Sequence, residues 1–480
     1  MRRSATIAIV AMTGACSLVN PVRVTPPPAP PAFATSSDAI ATPAPRPPTQ
    51  PLTDDPVWWS AFADPVLDAA IQEGFRNNHF IRDVRGLIYE NMLDPALPQG
   101  WWWPLQIGIL APAGVQHIHA NVPPAIRTDD GTSIDYNIAS VALTATYQLD
   151  LWGNLEAQRR AGLSIAEQQR QLTEGHVQDL AVRIAQAWFD ILETRALRDL
   201  TLTQIKYNQE LYELVKARFE QHLTPRLVVL QQEQLLLNLQ AAVPLIDARI
   251  GLLNSQLHQA LGRMPSPADD IVPLDRQLPD LPPAPSIGTP SDLNLNTPEM
   301  RVAAERVAEV KHRINANLSS WLPQVNLVGT IGATKFGVSH PTRRDDAVGV
   351  TLTWIMFDAR RITEGRRLPM QLDRRETQFK LALQTAVGRV QDALIRENYQ
   401  ATSLRSLRAR VELGRQVVAE ARRLFEQGQS DYLPVLTALN NEIDLERAAL
   451  QAQRLLLNSR VELYRAIGGN WSYDVTKLRE

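Results

Sequence analysis

His117-Ile118-His119 puts two imidazoles on one side of any strand that carries them, which is half of a zinc site. Zinc needs a third protein ligand, and nothing near the pair fixes one. Asp129-Asp130-Gly131 opens like a calcium loop, yet the later oxygen positions and the closing glutamate of an EF-hand are missing, so it reads as an exposed turn. Gly329-Thr330-Ile331-Gly332 sits inside an alternating strand pattern and opens no helix, so it is not a nucleotide fingerprint. No Ser/His/Asp arrangement is legible. With 49 Lys+Arg against 51 Asp+Glu, the formal net charge of -2 gives no electrostatic reason to expect nucleic acid as a partner. The chain is therefore read as no enzyme, with no metal and no cofactor, and its function must lie in its geometry.

The N-terminus is an address. Arg2 and Arg3 precede an apolar stretch from Ala5 to Ala15, the layout of an export signal and too short to span a bilayer. Cys16 is the one cysteine, so no disulfide forms within the chain, and its place behind Gly14-Ala15 makes it the candidate lipid-attachment residue. Thr13 stands where a lipobox has leucine, and Ser17 follows the cysteine where aspartate would hold back passage to the outer membrane. The alternative is that Cys16 is discarded within the signal peptide. Residues 16–56 are rich in proline, alanine, serine and threonine and read as an extended tether. The expected division is a signal peptide at 1–15, the tether at 16–56, a first repeat at 57–270, a linker at 271–295, a second repeat at 296–471 and a tail at 472–480.

Two repeats are expected because the second half matches the first at a constant offset of 206 residues: Phe219-Glu220-Gln221, Leu227 and Ala260-Leu261-Gly262 fall on Phe425-Glu426-Gln427, Leu433 and Ala466-Ile467-Gly468. Between Asn154 and Gln221 there is no proline and apolar residues recur at helical steps, as in Leu180, Ile184, Ala187, Trp188, Ile191, Leu192 and Leu197. Such a helix would reach about 100 Å. Its counterpart spans Arg361 to Gln427, with Pro369 as a break candidate. Each ends at a turn and returns, through His222-Leu223-Thr224-Pro225 and through Gly428-Gln429-Ser430-Asp431, where Gly428 suits a left-handed stop and Ser430 or Asp431 a helix cap. Segments Pro65 to Met92 and Thr297 to Ser319 are amphipathic helices that complete the column, the second opening at Thr297-Pro298-Glu299.

Alternation of period two marks the strands. Val141, Leu143, Ala145, Tyr147 and Leu149 share one face, as do Val325, Leu327, Gly329 and Ile331, and Val348, Val350, Leu352, Trp354 and Met356. A soluble half-buried sheet gives the same pattern. Aromatic residues near strand ends, Trp101-Trp102-Trp103, Trp152, Trp321, Phe336 and Phe357, favour a transmembrane sheet with interfacial belts. Polar loops Asn121 to Asp135 and Lys335 to Asp346 join the strands of each pair. Four strands close no barrel, and open edges are forbidden in lipid, so the chain must oligomerise; three copies give twelve strands.

These residues carry a resemblance. Tyr147-Gln148-Leu149-Asp150-Leu151-Trp152-Gly153 resembles the strand-to-helix signature of the TolC family of outer-membrane efflux channels, in particular its NodT-like lipoprotein branch. Trp354-Ile355-Met356-Phe357-Asp358 resembles its second-repeat counterpart, Trp321-Leu322-Pro323-Gln324-Val325 a strand entry, and Ala466-Ile467-Gly468-Gly469-Asn470-Trp471 the closing motif. The resemblance implies a mixed membrane α+β fold of two tandem repeats. Each repeat gives a β-hairpin to a trimeric 12-stranded transmembrane β-barrel and long antiparallel helices to a periplasmic tunnel. It implies a homotrimer in outer-membrane lipid that exports drugs or other small molecules. Its partners would be a periplasmic adaptor, or membrane fusion protein, and an inner-membrane efflux pump of the RND type.

Residue by residue, the adaptor would dock at the tips, at His222, Thr224, Pro225, Gly428, Ser430 and Asp431, with His222 where the family has glycine. A tunnel constriction would fall on Gln231, Gln234, Thr437, Asn440, Asn441 and Asp444; uncharged Gln231, Gln234, Thr437 and Asn440 stand where some relatives carry a charged latch, and Asp444 is among the nearest acids, with Glu233 and Glu442. Two other classes stay open: a channel for type I protein or peptide secretion, and a periplasmic coiled-coil scaffold with a soluble sheet.

Overall fold

The computed structural model describes residues 24–30, 33, 57–92, 104–119, 133–266, 270–285, 287, 289–291, 297–336 and 342–468. Cys16, Trp101 to Trp103, Asp129 to Gly131 and Gly469 to Trp471 lie outside them. A 3-10 turn at Trp58–Phe62 leads into α1 (Pro65–Asn77), α2 (His79–Met92), β1 (Leu105–Leu110), β2 (Ala113–His119), β3 (Ser133–Leu149), α3 (Asn154–Glu220) and α4 (Arg226–Ala260). Then come α5 (Pro298–Ser319), β4 (Gln324–Phe336), β5 (Arg343–Thr353), α6 (Ala359–Glu426) and α7 (Leu433–Ile467). The chain divides into two compact units. One comprises Met1–Thr25, Glu90–Gln168 and Ala304–Gln378, the other Pro26–Tyr89, Gln169–Ala303 and Phe379–Glu480.

The first unit holds the sheet, antiparallel throughout, in the order β1-β3-β4-β5 with β2 on the far half of β3. The strand lying along β3 on this side comes as two pieces, β1 and β2, yet Leu110↔Ala142 and Ala113↔Ala139 keep one register across the gap. Pro112 causes the gap, since it has no N–H for the ladder, while its carbonyl still accepts from Ser140 N at 3.0 Å. Two expectations need correction. The strands run further into the polar loops than the side chains suggested, with Asp135 in β3, Lys335 in β4 and Asp345 and Asp346 in β5, because backbone pairing needs no apolar side chain. Pro369 does not break α6. Its ring removes one hydrogen bond, and a helix of 68 residues anchored by buried Leu368 retains the rest.

The second unit carries the main core. Leu180, Ile184, Trp188, Ile191 and Leu192 of α3 are buried, as the helical stripe predicts, while Leu197 is only half-buried. They pack with Leu67, Ile71 and Phe75 of α1 and with Leu457, Val461 and Tyr464 of α7. An aromatic cluster unforeseen in the sequence seals this core: Trp58 stacks on Tyr464 at 5.6 Å and Phe62 meets Phe189 at 5.0 Å. Asp64 caps α1 by accepting from Val66 N at 3.1 Å and also accepts from the Trp188 indole at 3.2 Å. The segment from Pro65 to Met92 is two helices, because Asn78 leaves helical geometry at ψ 121°. Its amide donates to Ala260 O at 2.9 Å and its carbonyl oxygen accepts from Phe80 N at 3.0 Å, capping α2.

The linker is a strap. Leu278 to Pro285 holds four prolines, which offer carbonyls but no N–H groups. Donors from the helices meet carbonyls of the linker in consecutive pairs: Arg195 at Val272 and Pro273, Gln453 at Leu278 and Pro279, and Arg460 at Pro282 and Pro283. Gln453 and Arg460 stand two turns apart on α7, about 10 Å, close to the ~12 Å that four residues of polyproline helix cover.

Candidate functional site

Where strand becomes helix, the motif residues hold the junction together. Gly153 takes a left-handed φ of 70°, which admits glycine readily, and turns the chain from β3 into α3. The Asp150 carboxylate accepts from Glu156 N at 2.9 Å in the first turn of α3. Trp152 donates its indole N–H to Pro323 O at 2.7 Å, and Asn154 donates to Ala316 O at 2.7 Å, so the first junction is tied to the end of α5. The second junction follows the same plan with other atoms. Asp358 accepts from Arg360 N at 2.8 Å and pairs with Arg361 at 3.4 Å, and Trp354 donates to Trp321 O at 3.1 Å. Tyr147 lies in the ladder between Leu105 and Leu327. The hydrogen-bonded guanidinium of Arg159, reinforced by Arg160 against the penalty of burial, lowers the Glu156 pKa to about 2.

The two sheet faces differ. Leu143↔Ile331, Leu327↔Val350 and Val325↔Leu352 pair on one face, where Ile107, Ile109, Val141, Ile331, Val350 and Leu352 are exposed and Val348 is 95% exposed. Thr144↔Thr330 and Asn326↔Thr351 pair on the other. A soluble sheet buries its apolar face; this one leaves it open, as lipid contact requires. Trp354, Met356 and Phe357, all exposed, border the open face at its helix end.

At the opposite end of α3 and α6 both turns are the same six-residue closure. His222 N donates to Phe219 O and Leu223 N to Arg218 O, each at 2.9 Å; Gly428 N donates to Phe425 O at 3.0 Å and Gln429 N to Leu424 O at 2.9 Å. The closure needs a left-handed residue, and His222 (φ 61°) stands where Gly428 (φ 69°) stands in the other repeat. Replacing His222 with glycine is expected to stabilise the folded chain by about 1 kcal/mol, read in chemical unfolding; an unchanged midpoint would mean that the imidazole offsets the strain. Thr224 is buried and Pro225 precedes α4. Ser430 and Asp431 do not cap α7, contrary to the sequence reading. The capping position belongs to Tyr432, whose ring is buried against Phe425 at 5.4 Å, while the Ser430 hydroxyl donates to Asp431 O at 3.3 Å.

The candidate constriction residues are not joined to one another. Gln234, Thr437, Asn440, Asn441 and Asp444 are exposed, Gln231 is half-buried, and the Thr437 hydroxyl donates to Leu433 O at 2.9 Å. A buried network lies on the same helices and on α3. Gln232, fully buried, donates to Asn208 O at 2.9 Å and Asn208 Oδ1 at 3.1 Å, and accepts from the Tyr432 hydroxyl. Burial, then the neighbouring Tyr207, raises the Tyr432 pKa well above the phenol range. Arg218 lies 4.6 Å over the Phe425 ring and donates to its carbonyl at 2.7 Å, and Arg422 lies 5.2 Å over Tyr207. The repeat offset carried a signal for this network: Asn208 and Gln232 are polar where the second copy has Gly414 and Ala438. Further along, Glu446 of α7 receives Arg415 at 2.8 Å and Gln204 at 3.2 Å. Burial, then the charge of Glu446, raises the Glu442 pKa, so the stability linked to this carboxyl is present below pH 4.5 and lost as pH rises through its folded value.

No group of three or more His, Cys, Asp or Glu side chains is placed to hold a metal ion among the described residues, and Gly329 to Gly332 lie within β4. The sequence pattern of the family described as "Outer membrane efflux protein" matches residues 101–263 and 289–469, most of the chain and once in each repeat. The chain belongs to the outer membrane efflux protein family. Among its curated relatives is a probable efflux pump outer membrane protein, SepC of Pseudomonas putida, 24% identical over 431 residues, 86% of this chain and 85% of the relative. The pyoverdine export outer membrane protein OpmQ of Pseudomonas putida is 25% identical over 445 residues, covering 88% and 89%. Among solved structures, the outer-membrane channel OprN shares the fold with a TM-score of 0.77 at 22% identity, covering 94% of this chain and 99% of that one. In this outer membrane efflux protein the junction residues therefore connect a membrane sheet to its long helices.

Proposed function

We propose that three copies of this chain close one twelve-stranded barrel in the outer membrane and form a conduit for small molecules. The observation that carries the reading is the sheet itself: among the described residues, β1 with β2 on one side and β5 on the other are unpaired edges of a sheet whose apolar face is open. In lipid, unpaired backbone groups are too costly to persist, so the edges must meet other copies. The helices offer a matching seam. Leu237, Leu245 and Leu252 of α4 and Ile395, Leu413 and Val417 of α6 are exposed apolar residues at helical spacing. Polar residues on the other sheet face keep the lumen wet.

No nucleotide site is legible in the sequence, so the driving force comes from an inner-membrane pump of the RND type through a periplasmic adaptor seated at the turns around His222, Thr224 and Pro225 and around Gly428, Ser430 and Asp431. Relatives named for toluene and solvent efflux pumps support small apolar cargo. Cys16, lipidated after removal of residues 1–15, tethers the chain to outer-membrane lipid, with the tunnel in the periplasm. The test is single-channel conductance in planar bilayers together with oligomer mass in the same detergent. A trimer with small, rarely opening conductance is expected; a soluble species without conductance would overturn the reading.

A further inference from the structure

Along β4 and β5 the apolar row ends in charge. Val325, Leu327, Gly329, Ile331, Ala333 and Lys335 follow one another on the open face of β4, and Leu352, Val350, Val348, Asp346 and Arg344 do so on β5. The pairs Ile331↔Asp346 and Ala333↔Arg344 place the change of character at the hairpin end. Lys335 and Arg344 lie there as diagonal neighbours, both exposed. On the opposite face Arg343 pairs with Asp345 at 3.2 Å, so that arginine is neutralised within its own strand.

The other end of the row is aromatic and uncharged, at Trp354. From Trp354 to Arg344 the chain advances ten residues, about 33 Å along the strand and about 25 Å of height at a tilt near 40°. That is the height of a lipid-facing band, which puts the two cations at the headgroup level of the leaflet on the hairpin side. Long basic side chains at such a level lay their stems on the acyl boundary and carry their charge to the phosphates, and a guanidinium matches a phosphate through two parallel N–H donors.

We propose that Lys335 and Arg344 form a headgroup site for a phosphorylated lipid whose acyl chains lie on Ile331, Val348 and Val350. The inference rests on the membrane-barrel reading above. Asp346 shares the row and weakens the attraction, so its neutralisation should strengthen the site.

The test is native mass spectrometry of the full-length protein in detergent, titrated with phosphatidylglycerol or with phosphatidylcholine. Wild type should retain phosphatidylglycerol in preference. Lys335→Gln with Arg344→Gln should cut that preference about twenty-five-fold, fivefold for each cation. Arg343→Gln should leave it unchanged, and Asp346→Asn should raise it. Equal preference in wild type and the double variant would overturn the site, as would complete displacement of the lipid by millimolar inorganic phosphate, which would mark an anion site indifferent to acyl chains. Insertion of the same preparations into phosphatidylcholine vesicles separates the two claims: failure to insert counts against the barrel, and insertion without lipid preference counts against the headgroup site alone.

Discussion

Replacing Arg460 with leucine is expected to destabilise the folded chain by about 3–5 kcal/mol, the cost of stranding one partner of a buried ion pair. The Arg460 side chain is 2% exposed and that of Glu397 is 15% exposed, and two N–H groups of the guanidinium meet the two carboxylate oxygens at 2.6 and 2.8 Å. Burial opposes the charge on Arg460, yet Glu397 more than compensates and raises its pKa. The third nitrogen donates to the carbonyls of Pro282 and Pro283 in the proline-rich strap. Leucine therefore leaves a half-buried carboxylate and two carbonyls without partners. The double variant Arg460→Leu with Glu397→Leu removes the stranded charge and should recover that part of the loss, leaving about 1 kcal/mol for each orphaned carbonyl. Chemical unfolding of the solubilised protein reads the difference, and limited proteolysis between residues 270 and 290 reads the release of the strap. A single variant no less stable than the double would refute the account.

That strap shows where sequence reading stops. Prolines from Pro273 to Pro285 mark a linker, but they do not show that Arg195, Gln453 and Arg460, distant in sequence, would donate to its carbonyls. The long helices were legible because their signal is local and repeated: a stripe at three- and four-residue steps ran from Leu180 to Leu197 of α3, and Leu180, Ile184 and Trp188 proved buried. The alternating strands were legible for the same reason, while the register of β1 and β2 was not, since β3 fixes it through pairs such as Ile109↔Leu143. At the tips Thr437, Asn440 and Asn441, the residues matched to the family's constriction, are exposed, and the structure also joins Asn208, Gln232 and Tyr432, which no sequence pattern brought together. A glutamine within an apolar helix reads as a solvated face unless its partner on another helix is known. The mismatch with Gly414 and Ala438 under the repeat offset was the one local hint.

That buried network supplies the second large effect. Within a chain the α6–α7 turn is joined to the α3–α4 turn by Gln232 to Tyr432 and by Arg218 to Phe425, so any parting of the two turns has to break these contacts. Gln232→Leu preserves the bulk of the side chain and removes its donor and acceptor, leaving the Tyr432 hydroxyl and the Asn208 side-chain oxygen without Gln232 in a closed tip. An unsatisfied buried polar group costs about 1–3 kcal/mol, and the cost is relieved when the tip opens to water. The expected result is a rise of about tenfold in the fraction of time the channel spends open in planar bilayers, since ~1.4 kcal/mol is tenfold in an equilibrium. Tyr432→Phe deletes one bond of the same network and should give a smaller rise, about fivefold, whereas Thr437→Val, at an exposed residue bonded to its own helix, should give none. Loss of stability in Gln232→Leu with an unchanged open fraction would leave the network a packing device and return the constriction to the exposed row of Gln234, Asn440 and Asp444. A rise confined to Gln232→Leu and Tyr432→Phe would place closure in neutral hydrogen bonds, and it would then persist at an ionic strength that screens exposed ion pairs.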